Sequence, residues 1–391
     1  LPGTLPEMTP EARRTAATVT ALGLAQTLAW ASSYYLPAIL ARPMAQELGL
    51  PASGIYAYFS AALLLTALLG PWVGRVIDRS GGRGVLALSN LVFAAGLGIL
   101  SLAQGPLGLG LGWGLLGIGM VMGLYDAAFA TLAGLYGALA KGPITGVTLF
   151  AGFASTVGWP LTSWMDAELG WRGACLGWAV LHMLIGLPLN RLLVPRAPPP
   201  APKAAGDAAA TEAPPHAMWV LGFVFAATGI ITSAIGAHQP ALLALTGASP
   251  ELALLAASMT GPAQVAARFL QFSVLRQLHP LWMARLACLL QAVGTLVLLL
   301  VGGPAAVVFA MMYGGGNGLH TIAKGTLPLA VFGPAGYGAR QGILSAPARL
   351  LQAGAPLAFG LLLESQGAGA MWVILGLSVA ALVALYGLRA R

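Results

Sequence analysis

The sequence predicts an all-α membrane protein with twelve transmembrane helices in two six-helix, pseudo-symmetric bundles. Three observations carry that expectation. Of the 391 residues, 58% are hydrophobic and only 8% are charged, against about 25% charged in a soluble domain, so most of the surface faces lipid. The apolar residues gather into twelve runs long enough to cross roughly 30 Å of hydrocarbon, and too long for barrel strands of about 10 residues. Those runs divide six and six about a polar, proline-rich break, with short patterns recurring on either side of it.

In chain order, residues 1–14 read as a leader. Six spans follow at 15–41, 52–76, 84–103, 107–138, 144–166 and 171–193, forming an N-terminal bundle over 15–193. Residues 194–217 hold Pro198-Pro199-Pro200, Lys203, Asp207 and an alanine run, and read as a solvated linker. A second bundle over 218–388 holds spans at 218–245, 250–274, 281–301, 304–332, 339–364 and 369–388, and 389–391 form a tail. In span 10, Gly314-Gly315-Gly316-Asn317-Gly318 lacks the strand and the Lys-Ser/Thr pair of a phosphate loop, so it predicts close packing or a bend. Pro37, Pro160, Pro240, Pro262, Pro347 and Pro356 are expected kinks.

Charge placement sets the orientation. With the N-terminus inside, Arg13, Arg14, Arg75, Arg79, Arg83, Lys141, Arg191, Arg196, Lys203, Arg276, Arg285, Arg340, Arg389 and Arg391 face the cytoplasm, and only Arg42 and Arg172 face outward. Fourteen against two is the positive-inside bias of a multi-pass protein with both termini cytoplasmic, in a bacterial-type inner (plasma) membrane. The net charge of +8 is spread over these loops, without the basic, aromatic-interleaved patch that nucleic acid requires. Cys175 and Cys288 sit in different runs, so neither a disulfide framework nor a metal site is indicated. The sequence holds no nucleotide-binding motif and no nucleophile–base set. The expectation is a monomer that is no enzyme, needs no cofactor and draws on an ion gradient or on exchange.

The repeats keep order. Leu36-Pro37-Ala38-Ile39-Leu40-Ala41 in span 1 echoes Gln239-Pro240-Ala241-Leu242-Leu243-Ala244 in span 7, and Gly123-Leu124-Tyr125 echoes Gly318-Leu319-His320. Gly146, Gly158 and Pro160 recur 196 positions later as Gly342, Gly354 and Pro356. Parallel copies of this kind place a substrate site at the interface of the halves.

The loop after span 2, Gly74-Arg75-Val76-Ile77-Asp78-Arg79-Ser80-Gly81-Gly82-Arg83, resembles the signature G-x-x-x-D-R-x-G-R-R of the major facilitator superfamily, with Gly82 at one of the two late basic positions. The resemblance implies that Gly74, Asp78, Arg79 and Arg83 gate the cytoplasmic ends of the halves. A second resemblance, to the monocarboxylate transporters and oxalate:formate antiporters, lies in Ser33-Tyr34-Tyr35-Leu36 followed by Arg42-Pro43-Met44-Ala45-Gln46-Glu47-Leu48-Gly49. Those carriers place an Asp four residues before a carboxylate-binding Arg in span 8; here Gln264 precedes Arg268. The oxalate carrier has a second cation in span 11, where this chain has Arg349.

Ionisable residues within the spans cost roughly 2.5–3.5 kcal/mol each on insertion scales, so each needs a reason. They are Asp126, Arg268, Lys324 and Arg349: three cations and one carboxylate. An anion held by Arg268 and Arg349 fits that excess, with Asp126 or Lys324 relaying a proton. If Asp126 pairs with Lys324, the excess rests on the two arginines. Tyr34, Tyr35, His238, Asn317 and His320 are candidate cavity residues, because spans 1, 4, 7 and 10 surround the central cavity in the resembled superfamily, and Gln264, at the resembled carriers' Asp position in span 8, is a further candidate.

The functional expectation is a secondary active transporter of a small, monocarboxylate-like organic anion, working by rocker-switch alternating access with proton coupling or exchange. Its partners would be that anion, protons and the bilayer, with no nucleic acid. The alternative is a proton-driven efflux pump for drug-like or other small molecules, which would favour acidic residues in the cavity.

Overall fold

Fourteen α-helices account for the twelve crossings in a computed structural model that describes residues 9–196 and 214–389. Most of the expected linker and leader, and the end of the tail, lie outside the described residues. The N-terminal half comprises α1 (Pro10–Ser32), α2 (Leu36–Glu47), α3 (Ala52–Ser80), α4 (Gly82–Leu102), α5 (Pro106–Gly123), α6 (Tyr125–Tyr136), α7 (Lys141–Ala151) and α8 (Ala154–Leu181). The C-terminal half comprises α9 (Ala217–Leu245), α10 (Pro250–Ser273), α11 (Pro280–Val301), α12 (Ala306–Phe332), α13 (Tyr337–Gln366) and α14 (Met371–Tyr386). The described residues contain no strand. Helix α1 starts at Pro10, with Thr9 capping Ala12 N–H, so part of the expected leader is already helical.

Length and apolarity mark six stretches as able to cross a membrane, one of them the 88-residue run Pro106–Leu193. That run reverses at Gly137 and Gly170, whose left-handed φ of 55° and 69° suit glycine, and so supplies three crossings. The crossings that fall short of that apolarity are α1–α2, α10, α12 and most of α13. They carry Gln26, Arg268, Lys324 and Arg349. Polarity that weakens the membrane signal is thus concentrated where a site could be built.

Breaks inside crossings follow local chemistry. Span 1 turns at Ser33–Tyr35 and restarts with Leu36-Pro37, so Pro37 opens a helix, where its missing N–H costs nothing. Span 4 breaks at Leu124, and Gln26 Nε2 donates to the freed Gly123 carbonyl at 2.5 Å. Span 5 breaks at Gly152–Phe153. Pro160, Pro240, Pro262, Pro347 and Pro356 lie inside helices that continue through them. The glycine run in α12 resolves as packing: a methyl on Gly318 would strike the Gln264 backbone and one on Gly314 the Thr260 backbone, while α12 stays unbroken.

Each half has one apolar cluster toward the end that bears the termini and another toward the far end. The far-end clusters, around Phe93, Trp113 and Trp178 and around Phe309 and Ile374, are separate. The terminal-end cluster of the first half takes in Leu329 and Tyr337 from the second. Helices α3 and α13 bring the halves closest there. Gly70 and Gly74 on α3 meet Gly342 and Gly338 on α13, and a methyl on Gly74 would overlap the Gly338 carbonyl. Such small-xxx-small pairs let helix backbones touch in lipid, where the hydrophobic effect does not drive helix association. The halves are therefore closed against one another at the terminal end.

Candidate functional site

The closed end is pinned by the last turn of α3. Asp78 sits on the last turn of α3, and its carboxylate accepts from Gly338 N–H at 2.8 Å and Ala339 N–H at 2.9 Å. These are unsatisfied donors at the start of α13, where the helix dipole also favours a negative charge. Gly74 and Asp78 thus meet the other half. Arg79 is exposed, with no hydrogen bond or ion pair among the described residues, and Arg83 donates within its own half to the Arg191 carbonyl.

Deeper in the bundle, the break at Leu124 places Asp126 in the first turn of α6, where a carboxylate is favoured. Arg349 of α13 donates to Asp126 Oδ2 in an ion pair between the two halves, with side chains 14% and 15% exposed. Gln341 Nε2 adds a donor to Asp126 Oδ1 at 3.3 Å and reaches the Lys324 carbonyl at 3.4 Å. Asp126 therefore belongs to Arg349 rather than Lys324, and the cation excess moves to Arg268 and Lys324. Only one other ion pair, Arg172–Glu47, exists among the described residues.

Arg268 on α10 is 7% exposed and has no carboxylate partner among the described residues. Its guanidinium makes two long contacts, to the Thr148 carbonyl of the opposite half at 3.5 Å and to Thr321 Oγ1 at 3.3 Å, and its Nε is buried without a partner. Asn317, Thr321 and Lys324 recur at i, i+4 and i+7, on one face of α12. Along that face Asn317 accepts from Thr232 at 3.1 Å, Thr321 meets Arg268, and Lys324 follows one turn on. The Lys324 ammonium lies 5.9 Å from the Phe225 ring centroid. His320 Nε2 meets Thr228 Oγ1 at 2.7 Å; that hydroxyl also reaches the Val224 carbonyl, which assigns the ring proton to Nε2 and leaves Nδ1 a buried, unpartnered acceptor.

The first half contributes an aromatic cluster. Trp30 packs on Tyr34, Tyr35 and Tyr125 with ring centroids 4.9 to 5.9 Å apart, and its indole N–H is buried without a partner. Tyr125 of this cluster directly precedes Asp126, which the ion pair with Arg349 ties to α13. Two further expected residues make contacts of their own. His238 donates to the Pro356 carbonyl at 2.8 Å and packs on Phe359 within its own half. Gln264 meets Gly318 through its backbone.

Sequence reasoning missed Gln341, Thr148, Thr321 and Tyr125 as site members. Gln341 carried a signal, being a fully buried amide in a crossing. Thr148 offers only a carbonyl, which no residue pattern announces.

The family model of the Major Facilitator Superfamily matches residues 22–338. No curated protein matches the chain. Among solved structures, the human organic anion transporter MFSD10 (TETRAN) superposes with a TM-score of 0.71 at 18% identity, covering 97% of this chain and 100% of that one. The proton:xylose symporter XylE, bound to 6-bromo-6-deoxy-D-glucose, gives 0.71 at 14% identity, covering 96% of each chain. FucP in the outward conformation gives 0.71 at 13% identity, covering 96% of this chain and 99% of that one. At these identities the structures show a shared fold. The family match extends over most of the chain, and the chain belongs to the Major Facilitator Superfamily of membrane transporters.

Proposed function

We propose that the chain carries a small organic anion of monocarboxylate type by rocker-switch alternating access, coupled to protons or to a counter-substrate. The observation that carries this reading is Arg268, a guanidinium 7% exposed, without a carboxylate among the described residues and with an unpartnered Nε. Buried charges are normally compensated, and a carboxylate can accept two parallel hydrogen bonds from a guanidinium. Lys324, on the α12 face that Arg268 touches through Thr321, is the second cation facing that space. Trp30, Tyr34, Tyr35 and Tyr125 would hold the substrate's apolar body, with Asn317 and His320 at its edge.

Coupling follows from the pair between the halves. A proton on Asp126 cancels its charge, frees Arg349 and unpins α6 from α13. Arg349 can then join Arg268 at the anion, so proton and anion compensate each other's charge. The terminal end would face the cytoplasm, in a bacterial-type inner membrane, with the monomer as the working unit. Proteoliposome uptake of labelled monocarboxylates, dicarboxylates, sugars and organic cations at several pH values tests the reading. Saturable uptake of a carboxylate that rises with an inward proton gradient or with internal anion is expected. Preference for cations would replace the reading with drug efflux.

A further inference from the structure

A second contact closes the terminal end. Lys141, the first residue of α7, extends its ammonium to the other half and donates to the Arg276 carbonyl at 2.8 Å and the Leu278 carbonyl at 2.6 Å. Both carbonyls lie in the turn that follows α10. The repeat relates this contact to the Asp78 junction. Adding 196 positions takes Gly142 to Gly338 and Gly146 to Gly342, so the start of α7 corresponds to the start of α13. The same shift takes Asp78 to Val274, at the end of α10. The molecule thus contains one kind of junction twice: the end of α3 against the start of α13, and the end of α10 against the start of α7.

The charged side chain has changed sides between the copies. In the first junction it stands at a helix end and meets a helix start, which presents N–H groups, so it must be an acid. In the second it stands at a helix start and meets a helix end, which presents carbonyls, so it must be a base. Neither junction uses a side chain from the partner helix. Lys141 therefore differs from a loop cation that only follows the positive-inside bias: its ammonium is committed to two backbone acceptors of the opposite half.

We infer that Lys141 is a second gating residue, which holds the terminal end shut through backbone carbonyls and must let go, together with Asp78, for that end to open. The inference rests on the alternating fold and stands whatever the substrate is. Because the acceptors are backbone, the side chain of Arg276 is irrelevant to the latch while that of Lys141 is essential. Because the two junctions are separate, their effects on the open-to-closed ratio should multiply.

The test uses spin labels at Ser80→Cys and Gln277→Cys, exposed positions at the terminal ends of opposite halves; Cys175 and Cys288 are buried and stay unlabelled. Distances are measured by pulsed electron paramagnetic resonance in nanodiscs. Lys141→Met is expected to raise the long-distance population about tenfold or more relative to the short one, the effect of losing hydrogen bonds to a charged group. Lys141→Arg should keep the short distance, which separates latch loss from misfolding, and Arg276→Ala should match the unmodified protein. Adding Asp78→Ala to Lys141→Met should multiply the two shifts. An unchanged distribution in Lys141→Met overturns the inference. So does Arg276→Ala giving the same shift as Lys141→Met, which would make the contact one between side chains.

Discussion

Breaking the pair between Asp126 and Arg349 is the sharpest perturbation of the deep interface. Both side chains are about six-sevenths withdrawn from solvent, at 15% and 14% exposure. Removing one partner leaves a charge in low dielectric, for which about 3–5 kcal/mol is typical. Arg349→Gln should cost near the low end, about 3 kcal/mol, because Gln341 at 3.3 Å still donates to the orphaned carboxylate. Asp126→Asn leaves Arg349 without its acceptor and should cost about as much. The double variant removes both charges, so it should cost less than the sum of the singles, a coupling of about 2–3 kcal/mol. Reversible unfolding in mixed micelles across the four proteins gives the number. Additivity within about 0.5 kcal/mol would show that the two groups do not interact energetically, and the proposed proton release of Arg349 would lose its basis. Asp126→Asn should also raise the open population at the terminal end, since it mimics the protonated acid.

Gly74→Val should block closure of α3 on α13, because even a methyl there overlaps the Gly338 carbonyl; uptake should fall at least about tenfold with the protein still inserted, and normal uptake would remove Gly74 from the gate. His279 caps α11 by accepting from Leu281 N–H through Nδ1 at 3.2 Å. Its pKa is held below the usual 6.5 by burial first, then by Lys141 and Arg285. A lowered folded pKa means the contribution is complete above pH 6.5 and is lost as pH falls through the folded value. Unfolding measured against pH should show a loss of about 1 kcal/mol, the size of a missing cap, that vanishes in His279→Ala; an unchanged profile in that variant would assign the pH dependence elsewhere.

The architecture was legible because the bilayer imposes it: twelve apolar runs, a charge-laden terminal face and glycines at the reversals all leave marks along the chain. The breaks were less legible. Pro37 looked like a kink and proved to be a helix start, and the bend that aims Asp126 falls at Leu124, which has no breaker chemistry of its own. Its stabiliser, Gln26, lies 97 residues away. The candidate charges were visible as misfits in apolar runs, but their pairing was not. Whether Asp126 meets Lys324 or Arg349 depends on how α6 sits against α12 and α13, which no spacing encodes. Lys141 shows the same limit from the other side: a residue that counted only as a topological charge is committed to the carbonyls of Arg276 and Leu278.

If Arg268 seats the anion, equilibrium binding of a carboxylate depends on its guanidinium. The best carboxylate from the uptake panel is titrated against unmodified protein, Arg268→Gln and Arg268→Lys at one pH, in detergent with folding verified. Arg268→Gln is expected to lose about a hundredfold in affinity, the cost of about 2.7 kcal/mol for one charged partner at a buried carboxylate, and Arg268→Lys to recover part of it. Carboxylate affinity unchanged in a folded Arg268→Gln would remove Arg268 from the anion site.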